Sequence, residues 1–187
     1  MSEPRREYMI SCVRRWVGLK TAQRLARQEE GTAAVEFGLI AMPFLALVFA
    51  IIETALVFFA NQVLETAVSD SSRLIMTGQA QEQGLNKDTF KDQVCAKIFG
   101  LVDCGGVHVD VQTVTSFNSV SLDKPLDSDG KLDTSDFKYQ PGEPGDIVVA
   151  RLVYQWPTYV SMLGLSNMAG NNRLMMATAV FRNEPFK

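Results

Sequence analysis

The chain has 187 residues, room for one ordinary domain and an appendage, and its net charge of −3 leaves no broad basic surface for nucleic acid. That average conceals an asymmetry. Residues 1–31 hold seven basic side chains (Arg5, Arg6, Arg14, Arg15, Lys20, Arg24, Arg27) and four acidic ones (Glu3, Glu7, Glu29, Glu30), a net of +3, so the remainder carries −6.

The basic leader, 1–31, intersperses Trp16, Val17, Leu19 and Leu25 among its cations. That pattern fits an amphipathic helix on a membrane surface and equally a disordered basic tail. Cys12 lies within it. Next comes Gly38 to Ala60, GLIAMPFLALVFAIIETALVFFA, 23 residues with Glu53 as the only charge. As a helix it is roughly 34 Å long against about 30 Å of hydrocarbon, which predicts a transmembrane span at about 38–60. With the basic flank wholly N-terminal, the positive-inside rule puts the leader in the cytoplasm and everything after the span on the far side of the membrane. A secretory signal has a shorter apolar region of roughly 7–15 residues and a small-x-small cleavage site. Here Phe58-Phe59-Ala60-Asn61 puts a bulky ring where a small residue is wanted.

The junction before the apolar run reads Gly31-Thr32-Ala33-Ala34-Val35-Glu36-Phe37. A carboxylate where water gives way to lipid is costly unless something positive meets it, which makes Glu36 a functional candidate. A cut after Gly31 would give Thr32 a free ammonium and make Glu36 the fifth residue. This arrangement resembles the processing site of type IVb prepilins. The continuation through Gly38-Leu39, Pro43 and Ile51-Ile52-Glu53 resembles more specifically the TadE-like family of the Tad (tight adherence) pilus system, over about residues 31–75. It departs from the family's commonest form at Gly38, where Ala is usual.

The resemblance implies that a prepilin peptidase removes residues 1–31 and that the mature protein remains in the inner membrane as a minor pseudopilin of the Tad/Flp pilus. Its implied partners are other pilin-like subunits and the Tad secretion machinery, and its implied role is assembly, without catalysis. The carboxylate at mature position five would pair with a neighbour's amino terminus and set register between subunits. A hydrated Glu36 in the headgroup layer is the other reading. The alternative function is an unprocessed single-pass anchor presenting a periplasmic binding or chaperone domain.

Pro43 removes a backbone hydrogen bond and predicts a kink. Glu53 falls about 100° around the helix from Glu36, so the two face different directions. It can pair with another subunit or be hydrated near the outer interface. Beyond Ala60, Val63, Leu64, Ala67, Val68, Leu74 and Ile75 keep helical spacing, so one transmembrane and stalk helix is expected over 32–76, ending before Gly78.

Residues 77–187 are expected to form a periplasmic domain, making the whole chain α+β. Gln79–Lys87 reads as a loop and Asp88–Gly100 as a helix carrying Phe90, Val94, Ile98 and Phe99. Val107–Val114 alternates with period two, and Asp146–Trp156 and Leu174–Arg182 are further strands, which together predict an antiparallel sheet of three strands or more. Tyr159–Leu165 is expected to be a short helical or loop connection. Cys95 and Cys104 are expected to form a disulfide, given an oxidising compartment. Asp127, Asp129, Asp133 and Asp136 fall at calcium-loop positions around Gly130, but Pro125 occupies the first ligand position and the final bidentate Glu is missing, so a solvated turn is favoured over a metal site. His108, the only histidine, has no partner in the pattern. No phosphate loop, nucleophile with its base, or Cys/His metal spacing is visible, which argues against cofactors, small-molecule substrates and a membrane-tethered hydrolase.

Overall fold

The computed structural model describes residues 29–121, 123–158, 164 and 166–186. The expected leader helix, and the Tyr159–Leu165 connection apart from Gly164, lie outside the described residues. The chain divides into two compact units, Met1–Phe49 and Ala50–Lys187. Helix α1, Glu29–Met76, runs through that division.

In the first unit the described residues are all helical. Val35, Phe37, Leu39, Ile40, Met42, Phe44, Leu47 and Phe49 are exposed. A helix apolar on every side has no preferred inward face of its own and needs an apolar solvent or other helices around it. Pro43 lies inside the helix, which is helical on both sides of it.

The second unit is built on the rest of α1. From Glu53 onward its buried positions recur every three or four residues, through Val57, Ala60, Leu64, Ala67, Val68, Ser71 and Ile75. One stripe therefore faces the domain while Asn61, Gln62, Glu65 and Asp70 alternate with it. Gly78, with φ +81°, ends the helix. Its N–H donates to the Ile75 carbonyl, and Thr77 N–H donates to Arg73, the closing bonds of a left-handed stop. A one-turn helix, α2 (Gln79–Glu82), occupies part of the expected loop.

Helix α3, Lys87–Cys95, begins at Asn86, whose side chain accepts from the N–H groups of Asp88 and Thr89 in a capping box. Phe90 and Val94 enter the core. It stops at Cys95, short of the expected Gly100. Lys97 N–H reaches back to Val94 and Ile98 N–H to Cys95, tightening the last turn, and Gly100 then takes φ +81°. Ile98 and Phe99, expected on the helix, sit instead in the following loop.

Three strands, β1 (Val107–Val114), β2 (Ile147–Pro157) and β3 (Asn172–Arg182), form an antiparallel sheet in the order β1-β2-β3. Val107 pairs with Tyr154 and Tyr154 with Met175. Alternation then places Val107, Val109, Val111, Val148, Ala150, Leu152, Met175 and Ala177 on one face. These join the α1 stripe, Phe90 and Val94 in a single core cluster. The fold is thus α+β, a long apolar helix followed by a three-stranded antiparallel sheet. The long connection from β1 to β2 returns to the sheet as well: Val111 N–H donates to Lys138 and Gln140 N–H to Val111, a parallel bridge at Tyr139 on the outer edge of β1.

Candidate functional site

Gly31 to Phe37 lie within α1 and are exposed. Gly31 is helical, and a Cβ placed on it would meet nothing within 4 Å. Neither backbone conformation nor packing requires glycine there, and in a helix it costs about 1 kcal/mol relative to Ala. Glu36 presents its carboxylate on the exposed surface of the helix, flanked by the exposed Val35 and Phe37. Gly38 is equally open. The most apolar window of the helix has none of its residues buried. The segment is long and apolar enough to cross a membrane, and it fits a single-pass anchor.

Residues 31–73 match the family model of TadE-like proteins. The TadE-like match covers most of α1 and none of the sheet. It implies an association with the Tad pilus system. No curated protein and no solved structure matches the chain.

Within the TadE-like segment, Glu53 behaves unlike Glu36. It is 6 % exposed, heads the buried stripe of the second unit, and has a partner within the chain. The cover of the domain therefore begins inside the apolar run, while Ile51, Ile52 and Phe58 stay exposed. Neither sequence-based alternative for Glu53, another subunit or hydration, anticipated a place under the chain's own domain. Nearby, a cavity of about 300 Å³ is lined by Thr54, Val57, Phe58 and Asn61 from α1, by Lys124, and by Arg173 to Met176 of β3.

Cys95 and Cys104 are joined by a disulfide with Cα atoms 5.6 Å apart. It ties the end of α3 to the turn Cys104–Gly106 that leads into β1. The bond closes a short loop, for which chain entropy predicts about 2–3 kcal/mol of stabilisation.

The four aspartates of the calcium-loop pattern do not converge. Asp127 Oδ1 accepts from the N–H groups of Asp129 and Lys131 at 2.9 and 2.8 Å, and Asp133 Oδ1 from Ser135 N–H at 2.9 Å. These are turn-forming bonds, and those of Ser135 hold the Asp133 carboxyl below its ordinary value. Asp133 and Asp136 line a separate cavity of about 270 Å³ that also contains the Arg151 side chain, whose charge opposes a cation. Among the described residues no group of three or more His, Cys, Asp or Glu is placed to hold a metal.

A buried ion pair escaped the sequence pattern altogether. Asp110, fully buried on the β1 face away from the core cluster, accepts from Arg151 Nε at 2.9 Å and Nη2 at 2.5 Å. Lys138 N–H and Gln112 Nε2 also donate to it, each at 2.9 Å. Both carboxylate oxygens are thus engaged, by side chains of β1 and β2 and by Lys138 N–H of the long β1–β2 connection, which makes the pair a structural clamp between the strands and that connection.

Proposed function

We propose that the chain is a pseudopilin-like membrane subunit of the Tad/Flp pilus, cut by a prepilin peptidase after Gly31 and acting in pilus assembly without catalysing a reaction. The carrying observation is Gly31. It is a glycine at a helical, unpacked position, five residues before an exposed Glu36, at the head of an apolar helix with no buried position among the described residues before Glu53. The fold gives no reason for that glycine, whereas recognition by a peptidase that needs the smallest side chain beside the scissile bond does. The TadE-like match over the same helix supports the reading.

In this reading Thr32 is the mature N-terminus and Glu36 meets the ammonium of an adjacent subunit. In a low-dielectric surrounding, desolvation of both groups offsets much of their attraction, so the pair fixes axial register more than it adds affinity. The exposed faces through Phe49 pack on lipid and on the helices of pilin-like partners. The leader faces the cytoplasm, and the sheet domain lies in the periplasm next to the inner membrane. The Tad secretion machinery receives the subunit there.

The N-terminus of membrane-extracted protein tests this. In cells that possess the peptidase the expected sequence begins at Thr32, and Gly31→Leu yields the uncut chain. An intact Met1 end in those cells overturns the reading in favour of an unprocessed single-pass anchor presenting a binding domain.

A further inference from the structure

The disulfide loop between α3 and β1 distributes its apolar side chains in two directions. Ile98 is half-buried and Val102 is buried with the core, whereas Phe99 is 65 % and Leu101 47 % exposed on either side of Gly100. Phe99 of this outward pair is next to the membrane helix. The Phe99 and Phe59 rings meet edge to face with centroids 6.3 Å apart, and the nearest neighbour of a Cβ built on Gly100 is a ring carbon of Phe59 at 4.0 Å. Phe58 and Phe59 are themselves exposed and are the last aromatic residues of the apolar run, directly before Ala60 and the polar Asn61 and Gln62.

The geometry points to a second membrane contact, in which the Cys95–Cys104 loop dips Phe99 and Leu101 into the lipid leaflet on the domain's side, beside the end of the apolar helix. This rests on the reading of α1 as a membrane anchor. The occupant is lipid because Phe99 continues an apolar surface that begins on the spanning helix itself at Phe59, so water would otherwise meet both rings together with the exposed Phe58 and Leu101. Charge agrees. Exposed Lys97 sits two residues before Phe99, and Lys124 and Arg173 line the cavity against Thr54, Phe58 and Asn61, at the same height on the helix. Cations at that height suit the anionic headgroup layer, with apolar side chains reaching beneath it. The disulfide matters because it ties both ends of the loop, at α3 and before β1, and so limits how far Phe99 can move from its place beside Phe59. Two points of attachment, helix and loop, would restrict the swing and rotation of the domain over the bilayer.

The test reconstitutes the full chain into vesicles of phosphatidylethanolamine and phosphatidylglycerol, with and without brominated acyl chains, and reads tryptophan emission over that of the parent protein. Phe99→Trp and Leu101→Trp report on the loop. Phe117→Trp, at an exposed phenylalanine beyond the opposite end of β1, is the control. The expected result is that brominated lipid removes most of the emission added at 99 and at 101 and leaves that at 117 unchanged. Equal, weak quenching at all three positions in protein that floats with the vesicles overturns the loop contact while leaving the anchor intact, as would happen if a second copy or a partner subunit covered the patch. Failure of the chain to float with vesicles overturns both.

Discussion

His108 shows how a side chain with no sequence partner acquires one kind of sensitivity to its surroundings. It projects from β1 on the face away from the core, with its ring edge to face against Phe137 at 6.5 Å. Burial, followed by the charges of Lys91 and then Lys87, lowers its pKa from the ordinary 6.5. The unfolded chain then binds a proton near its ordinary value while the folded chain resists it, so stability is full above about 6.5 and is lost as pH falls toward the lowered folded value. Unfolding of the detergent-solubilised chain by urea at about pH 7.5 and about pH 5.5 is expected to show a smaller midpoint at the lower pH. His108→Gln should shrink that difference; an unchanged difference means that other groups carry it. The period-two pattern placed His108 on a strand and could say nothing of Lys87, Lys91 or Phe137, which approach from other segments. Asp110 was illegible for the same reason. Its partner Arg151 is 41 residues away, and a lone Asp in an alternating strand looks like a solvated one until the register sets Asp110 opposite Arg151.

At the scale of elements, what was legible is what local periodicity determines. Val107–Val114 formed a strand over those residues, and the other two strands differ from expectation by one or two residues at their ends. The expected end of α3 failed because the apolar spacing of Ile98 and Phe99 mimics a helix turn, while the chain leaves the helix at the disulfide. The stop of α1 was legible through Gly78, and there the physical requirement is stronger than a propensity. At φ +81° any side chain is strained, and a Cβ would approach the Phe186 ring and Cβ atoms to 2.3–2.7 Å. Phe186 belongs to the C-terminal segment that Glu184 ties to α1 by donating its N–H to the Met76 carbonyl. Gly78→Ala is therefore expected to destabilise the second unit by about 1–3 kcal/mol, through left-handed strain plus the displaced ring. Gly84→Ala is the comparison: it is also left-handed, at φ +62°, but nothing lies within 4 Å of the added carbon. Thermal unfolding of both variants separates strain from collision, and equal losses would show that Phe186 moves aside freely.

For the whole molecule, the cysteines connect processing to folding. The chain has three, and two are held in the Cys95–Cys104 bond, leaving Cys12 in the leader as the only other thiol. A cut after Gly31 removes it. The uncut chain, denatured without reductant, should therefore take up one alkylating group, and the mature chain none, as read by intact mass. Two groups on the mature chain would mean that the disulfide does not form in the cell. One group on every molecule would mean that the leader is retained. A single spectrum thus separates failure of the fold from failure of the processing step, because loss of Cys12 depends on Gly31 whereas protection of Cys95 and Cys104 depends on α3 meeting the start of β1. The same division explains what the sequence could and could not disclose. The apolar run and the glycine-to-glutamate spacing are consecutive in the chain and readable along it. The cover of Glu53 by the domain and the approach of Phe99 to Phe59 arise only once the sheet has closed on the helix.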